Sequence, residues 1–369
     1  MGVSTEQREL RESVRRFLTE RAPLSRVREL MEAADGTDPD VWRQAGAQLG
    51  LPGIAVPEEY GGAGFSFAEQ AIVLEELGAA LFTGPYLASA VLAATALLAS
   101  DDTEAKKDLL PGIAAGQTVA TLAFTEDGGS WDPASIELAA NQENDGWRLD
   151  GHKSFVLDGH AADLILTVAA TEGGLGVFAV TSTATGLTRR ALPTLDQTRK
   201  LARLVFDHTP ARLVGEPGAA RAGLDHTLDV AAIALAAEQL GGAQRALDMA
   251  VAYAKVRHQF GRPIGSFQAI KHRCADLLLE VESLRSAVGY AAAAVAAGST
   301  EVPVLAPLLK AYASEVYSHV AGENIQIHGG IGFTWEHDAH LYLKRAKASE
   351  LFLGDASYHR ERLATRIGL

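Results

Sequence analysis

The chain has 369 residues, of which 47% are hydrophobic, 21% charged and 7% aromatic, and it carries a net charge of −13. This length favours two or three packed subdomains over a single core, and the composition is globular with a helical bias rather than disordered. The acidic balance and the lack of dense Lys or Arg runs argue against nucleic acid and anionic membranes as partners.

Three further features bear on location. Cys274 is the only cysteine, so no intramolecular disulfide can form. The N-terminus is polar and lacks the apolar core of a signal peptide. The longest apolar run, residues 85–99, is shorter than the roughly 18 to 20 residues that span a bilayer. We therefore expect a cytoplasmic protein without a membrane segment.

The first third of the chain is predicted to be helical. Apolar residues that recur on one face predict helix within 5–33. Further helices are predicted at 40–49, 67–77 and 86–98. A Pro- and Gly-containing segment at 111–117 ends this region.

A β-rich stretch follows. Short runs of β-favouring residues between 118 and 215 are separated by Gly, Asn, Asp and Pro clusters about every ten residues. This spacing predicts a small antiparallel β domain, and the turn residues within 141–151 predict a hairpin.

The remainder of the chain is helical again. Long helices are predicted over 223–258, 265–297 and 302–327, with a shorter pair after residue 338, and such lengths suit a four-helix bundle. The predicted fold is mainly α with a β insert. Its predicted domains are an N-terminal helical domain (1–117), a middle antiparallel β domain (118–215) and a C-terminal helical bundle (216–369).

Two segments of the predicted bundle carry the strongest functional signal. Arg-His-Gln-Phe-Gly-Arg-Pro-Ile at 257–264 ends one helix before the next begins, and Gln-Ile-His-Gly-Gly-Ile-Gly-Phe at 326–333 places adjacent glycines after a helix. Arg257 offers a bidentate partner for phosphate, Phe260 offers an apolar wall, and the glycines let a ligand approach the backbone. Each segment alone also fits an ordinary helix cap or hairpin. Together they predict a dinucleotide site.

With Leu-Pro-Gly-Ile-Ala-Ala-Gly at 110–116 and Phe-Thr-Glu at 124–126, these segments resemble the acyl-CoA dehydrogenase family over nearly the whole chain. The resemblance implies FAD between the β domain and the bundle, and oxidation of an acyl-CoA thioester to a 2-enoyl-CoA. It also implies that a neighbouring subunit helps to hold the nucleotide, so a homo-oligomer or a hetero-oligomer with a related subunit is expected. An electron-transfer flavoprotein or similar acceptor is the expected redox partner.

The resemblance also assigns individual residues. Trp131 stands where a small polar residue usually meets the substrate, so it either narrows the acyl channel or only fills a groove. Arg360 is a second substrate candidate, with a solvated surface position as the alternative. The FAD ligands that the resemblance implies are Thr125, Arg257, Phe260, Gln268, Gln326, Gly329, Gly330 and Asp355.

The departures from the family pattern concern the chemistry. Desaturation needs a base for the α-proton, yet the two positions where the resemblance expects its carboxylate carry Leu353 and Ala231. Glu238 is the remaining candidate base. It lies on the same helix face as Ala231 but about 10 Å further along the axis, and a paired structural carboxylate is its alternative role. Leu157 replaces a threonine that would contact the flavin, and leucine donates no hydrogen bond.

Three functions stay open on this evidence. The chain is an FAD-dependent acyl-CoA dehydrogenase that uses Glu238 or another base, or it is a partner subunit that completes the FAD site of a heteromeric dehydrogenase. The third is a flavin-dependent monooxygenase of the same fold, which also lacks the carboxylate base.

One segment contains residue types that bind metals. Glu-His-Asp-Ala-His at 336–340 places His337 and His340 three residues apart. Zinc needs three or four ligands, and no third ligand is evident nearby. We therefore expect no metal site.

Overall fold

The computed structural model describes residues 4–144 and 146–369. Along the chain, a β region follows one helical region and precedes another. The first helices are α1 (Thr5–Arg21), α2 (Leu24–Glu32), α3 (Pro39–Leu49), α4 (Phe67–Ala79), α5 (Ala94–Leu98) and α6 (Thr103–Ala114). The strands are β1 (Ala120–Ala123), β2 (Ala139–Glu143), β3 (Gly146–Leu157), β4 (Leu164–Thr171), β5 (Gly174–Thr181), β6 (Leu187–Leu192) and β7 (Leu201–Val214). After them come α7 (Ala220–Val256), β8 (His258–Gln259), β9 (Arg262–Pro263), α8 (Gln268–Ala296), α9 (Val302–His328), α10 (Ala339–Leu351) and α11 (Ala356–Ile367). This order confirms a mainly α fold with a β insert.

The helix ends follow local chemistry. Ser4 and Gln7 form a reciprocal capping box at the start of α1, which satisfies backbone N–H groups that have no partner within the helix. The helical stretch predicted within 5–33 is two helices, because Pro23 disfavours helical geometry in the residue before it, Ala22. α3 begins with Pro39 after the N-cap Asp38, the position where proline is tolerated best.

The helix predicted at 86–98 begins as a π-helix at Leu87–Ala93. Ser89 lies in this turn and is fully buried. Its hydroxyl accepts a hydrogen bond of 3.0 Å from the backbone N–H of Ala120 in β1. β1 is the last strand at one side of its sheet, so Ser89 satisfies a donor that an edge strand would otherwise leave unpaired.

The strands β1 to β7 form one sheet in the order β1-β4-β2-β3-β7-β5, with β6 paired to β7. Further pairing between β4 and β5 closes the path around a core that includes Leu149, Phe178 and Phe206. The predicted hairpin is the antiparallel β2–β3 pair, although Asp145 lies outside the described residues. The sheet is mainly antiparallel as predicted, but β1 pairs with β4 in parallel.

The chain forms two compact units. The helical unit contains the chain up to Arg28, Phe67–Phe82 and Ala232–Leu369, and the β unit contains Glu29–Ser66 and Thr83–Ala231. The three domain boundaries predicted above stay predictions. Within the residues that the structure describes, no helix combines the length and apolar character needed to cross a bilayer.

In the helical unit, α4 and α7 cross at two glycines. A Cβ atom at Gly78 would collide with the carbonyl of Glu238, and one at Gly241 would collide with the carbonyl of Glu75. Only glycine permits backbones to approach this closely. This close contact therefore fixes the position of Glu238 relative to α4.

A charge network joins α1, α4 and α8 in the same unit. Glu75 accepts hydrogen bonds from Arg11 at 2.7 Å and from Arg285, while Arg11 also pairs with Glu76 at 2.9 Å. Burial acts to raise the pKa of Glu75, but the hydrogen bonds and charges of Arg11 and Arg285 hold that pKa below its ordinary value. The folded helical unit thus favours the ionised carboxylate.

Candidate functional site

The two predicted nucleotide segments are brought together at one end of the helical unit. Ile327 of α9 packs with Ala250 and Ala254 of α7, and Ile264 packs against this cluster. Beside it, the rings of Tyr253 and His328 stack with centroids 4.3 Å apart. One apolar cluster therefore joins the end of α7, the β8–β9 hairpin and the end of α9.

The hairpin holds Arg257 by its backbone. The Arg257 carbonyl accepts a 2.7 Å hydrogen bond from the N–H of Ile264, and Phe260 at the tip is 90% exposed with a φ of 53°. Among the described residues, none pairs with the Arg257 guanidinium. A rigid backbone with an unpaired guanidinium suits capture of a phosphate.

The turn after α9 is open to a ligand. Gly329 has φ 65° and ψ −145°, a conformation that only glycine adopts readily. A Cβ atom at Gly329 or Gly330 would have no atom within 4 Å. The side-chain amides of Gln268 and Gln326 are exposed, and neither finds a partner within the described chain. The two glutamine amides and the glycine turn are thus open to a ligand, and their roles in binding FAD stay predictions.

Two histidines near this turn have hydrogen-bond partners in the protein, and a third is buried. His328 bonds the carbonyl of Asn324 at 2.8 Å, and the Nδ1 atom of His337 accepts a 3.1 Å hydrogen bond from the N–H of Ala339 at the start of α10. Burial, aided by nearby cations, lowers the pKa of His340 to about 4. In the described part of the chain, no group of three or more His, Cys, Asp or Glu side chains is arranged to hold a metal ion.

In the β unit, Thr125 follows β1 and is 3% exposed. Its hydroxyl oxygen is buried without a hydrogen-bond partner among the described residues. Its carbonyl accepts a 2.8 Å hydrogen bond from the N–H of Ser154. A buried polar group without a partner costs about 1 to 3 kcal/mol, so this fixed hydroxyl fits a site that a cofactor completes.

Lys153 and Glu126 hold the backbone around Thr125. The Lys153 ammonium is fully buried and donates to the Phe124 carbonyl at 3.1 Å and to Glu126 at 2.7 Å. Burial lowers the pKa of Lys153 to about 8, although Glu126 opposes that shift. Sequence reasoning missed this pair, and its only local signal is a charged residue within a β-favouring run.

Leu157 lies at the end of β3 in a strained segment. Phe155, two residues before it, and Asp158, directly after it, have φ values of 57° and 53°. The pairing of β3 with β7 also shifts register between Lys153 and Val156. Strained backbone and bulges of this kind concentrate at functional sites. The segment keeps its unusual geometry although Leu157 is buried and apolar.

Trp131 lies on the loop that follows Thr125. Its ring centroid is 5.9 Å from that of Phe124. The loop is anchored by Asp127, where hydrogen bonds from Arg203 and Ser154 hold the pKa of the carboxyl group well below its ordinary value. Trp131 therefore packs on a fixed loop of the β unit, and its substrate role stays a prediction.

Neither expected base position carries a titratable group. Ala231 is fully buried in α7, and Leu353, between α10 and α11, is 4% exposed. Glu238 is buried and forms a 2.7 Å ion pair with Arg345 of α10. This pairing supports the structural role of Glu238 and weighs against its use as the base. Sequence reasoning missed Arg345, because its partner is 107 residues away.

The last two candidates also have protein partners. Asp355 is the N-cap of α11 and accepts a 2.8 Å hydrogen bond from the N–H of Tyr358. Arg360 pairs with Glu315 on the surface. Each side chain therefore already has a contact within the protein, and its ligand role stays a prediction.

Comparisons with known proteins agree over the full chain. Family models described as the N-terminal, middle and C-terminal domains of acyl-CoA dehydrogenase match residues 4–117, 121–209 and 222–368. The chain is 38% identical over 367 residues to Acyl-CoA dehydrogenase IpdE2 of Mycolicibacterium smegmatis, which covers 99% of this chain and 100% of that protein.

Solved structures give the same result. A variant of the Tcur3481-Tcur3483 steroid ACAD has 35% sequence identity and a TM-score of 0.90, covering 100% of this chain and 99% of that one. A chain of the ChsE4-ChsE5 complex from Mycobacterium tuberculosis has 30% identity and a TM-score of 0.90, covering 100% and 98%. Both matches therefore extend across the helical and β units alike.

Proposed function

Because this chain belongs to the acyl-CoA dehydrogenase family of FAD-dependent oxidoreductases, we propose that it is the base-lacking subunit of a heteromeric acyl-CoA dehydrogenase. The family, the enzyme class and FAD as cofactor are confirmed predictions, and the subunit role is the proposal. One observation carries it. Arg257, Gln268 and Gln326 are exposed and have no partner among the described residues. In contrast, Leu353 and Ala231 cannot take a proton, and Glu238 is paired with Arg345.

The residues present fit FAD. Arg257 would bind the pyrophosphate, Gln268 and Gln326 would hold the nucleotide by their amides, and the Gly329 backbone would approach it closely. In the β unit, the buried Thr125 hydroxyl would gain the hydrogen bond that it lacks. The chemistry that bound FAD supplies is two-electron oxidation, while this chain contributes binding and orientation.

The partner we propose is a related acyl-CoA dehydrogenase chain that carries the base. Two of the similar solved structures bear paired names, Tcur3481-Tcur3483 and ChsE4-ChsE5. On this chain, three large apolar side chains near the nucleotide segments are strongly exposed: Phe260, Phe333 and Trp335. Exposed apolar groups of this size are typical of interfaces, so they support an assembly in which the nucleotide segments face a second chain.

An enzyme that is active alone through Glu238 is the second candidate. Its support is that Glu238 is a buried carboxylate on the helix that also carries Ala231. The ion pair with Arg345 counts against it, because a base needs an oxygen that can accept the substrate proton. No feature of the described residues favours a monooxygenase.

The substrate class we propose is an acyl-CoA thioester, and the steroid ACAD match makes a steroid acyl-CoA the first to test. An electron-transfer flavoprotein is the proposed acceptor. Neither choice depends on the base assignment.

The test compares the chain alone with the chain co-expressed with a base-bearing relative. We expect the chain alone to be colourless, or to hold flavin that acyl-CoA does not bleach under anaerobic conditions. The co-expressed assembly is expected to hold FAD that bleaches. Bleaching by the chain alone would overturn the subunit proposal, and loss of that bleaching in Glu238→Gln would establish the second candidate.

A further inference from the structure

The corner between α10 and α11 has an unusual backbone. Leu353 has a φ of 63°, a region that bulky residues rarely occupy because the side chain crowds the backbone. The next residue, Gly354, has a φ of 103°. Such a conformation persists only where the surrounding structure over-determines it, and it is typical of functional sites.

A buried lysine from α9 holds the two sides of this corner. Lys310 is fully buried. Its ammonium donates to the Glu350 carbonyl at 3.2 Å and to the Gly354 carbonyl at 3.0 Å. It also donates to the Ser314 hydroxyl at 3.0 Å, and Ser314 accepts a further hydrogen bond from Gln239 of α7. The lysine is therefore oriented by Ser314 of its own helix, which α7 holds in turn through Gln239.

A buried histidine from α11 holds the corner residue itself. The Nε2 atom of His359 lies 2.9 Å from the Leu353 carbonyl, and the ring is fully buried. Burial and the neighbouring cations Lys310 and Arg362 lower the pKa of His359 to about 3. The ring is thus neutral at ordinary pH and donates through Nε2 to the carbonyl.

We propose that Lys310 and His359 are positioning residues that form a carbonyl clamp, which sets the backbone of residue 353 independently of the side chain there. The clamp binds three carbonyls within five residues, while the side chain of Leu353 makes no polar contact that could hold the turn. The clamp is inferred from these contacts alone. Only the statement that this corner lies beside the reacting site rests on the proposed function. The test of the clamp uses no flavin, so it can fail without the proposed function failing.

The first measurement is amide hydrogen exchange in Lys310→Met, which keeps a long apolar side chain but removes the hydrogen bonds to Ser314 and to the carbonyls of Glu350 and Gly354. We expect exchange at the Phe352 and Gly354 amides to rise roughly tenfold or more, with amides of the β unit unchanged. The matched control is Lys347→Met, which removes a surface ion pair to Glu350 but no clamp bond. Equal exchange in both variants, or a uniform rise over the whole chain, would overturn the clamp.

The second measurement separates positioning from general stability by rescue. Glycine adopts positive φ without strain, so Leu353→Gly removes the need for the clamp. In the Lys310→Met background, Leu353→Gly is expected to recover most of the lost protection at Gly354, whereas in the unchanged background it gives no gain. Additive effects, without rescue, would show that Lys310 only fills the core.

If Lys310→Met does not fold, His359→Phe replaces it, and its effect is compared with and without Leu353→Gly. It removes only the bond to the Leu353 carbonyl and keeps an aromatic ring of similar size. Rescue by Leu353→Gly is again the supporting result, and additivity again contradicts the proposal.

Discussion

Arg257, Gln268 and Gln326 are exposed on fixed backbone and have no partner within the described chain, whereas Leu353 and Ala231 are buried and apolar. An exposed guanidinium costs little in the isolated chain and gains strongly when an anion arrives. A buried leucine offers neither charge nor hydrogen bond. This difference supports the proposal that the chain binds the cofactor but relies on another chain for the base.

The largest effect is expected from Arg345→Met. It removes the ion pair that buried Glu238 forms with this residue, and breaking a buried pair costs about 3 to 5 kcal/mol of unfolding free energy. Urea denaturation followed by circular dichroism measures this loss. Arg360→Met, which breaks only a surface pair, is the control and should cost less than about 1 kcal/mol. Equal losses would return Glu238 to the list of candidate bases.

Arg257→Ala tests the nucleotide side. A charge-assisted hydrogen bond contributes about 1.5 to 3 kcal/mol, so the FAD dissociation constant of the assembly should rise about 10- to 100-fold. Flavin fluorescence titration reports that constant. Arg273→Ala removes another exposed arginine, one that pairs with Glu323, and should leave FAD affinity unchanged. An unchanged constant in Arg257→Ala would remove Arg257 from the site.

A smaller effect is expected at Asp355. Its role as a helix cap predicts a loss of stability on substitution, whereas the predicted FAD contact predicts a loss of FAD affinity. Loss of the cap in Asp355→Ala should lower the unfolding free energy by about 1 kcal/mol, while Asp355→Asn keeps a capping oxygen and most of the stability. Thermal denaturation of the protein without FAD measures both. If stability is unchanged in both variants but FAD affinity falls, Asp355 is a cofactor ligand instead.

The smallest effect concerns pH. The pKa of Glu75 is lower in the folded state than its ordinary value of 4.5, so its stabilising contribution is present above that value and is lost as pH falls through the folded pKa. Urea unfolding between about pH 3 and 6 should show a shallower pH dependence in Glu75→Gln than in the unchanged chain. Glu104→Gln, at an exposed site, should keep the original slope. Identical slopes in all three would contradict the lowered pKa.

Much of the fold was predictable because helical periodicity is a local signal. The predicted helix at 302–327 corresponds to α9, and that at 265–297 to α8, with ends shifted by a few residues. The π-helix at Leu87–Ala93 was not predictable, because the same apolar run suits an α-helix equally well. No apolar run marks β6, because all six of its residues are exposed or half-buried.

The candidate site was also predictable only in part. Glycine and arginine motifs are contiguous, so Gly329 and Arg257 could be selected from the sequence, and their roles stay predictions. The partners of Glu238 and of the 353 corner could not be selected. Arg345 and Lys310 reach them from other helices, and only the packed bundle brings those positions together.

The most direct measurement uses the reconstituted heteromer and removes a carboxylate from one chain at a time. Anaerobic flavin bleaching by acyl-CoA is recorded for three assemblies: unchanged, with Glu238→Gln in this chain, and with the corresponding carboxylate-to-amide change in the base-bearing relative. We expect bleaching to survive the change in this chain and to be lost with the change in the relative. Bleaching that is lost with Glu238→Gln and survives the change in the relative would contradict the account.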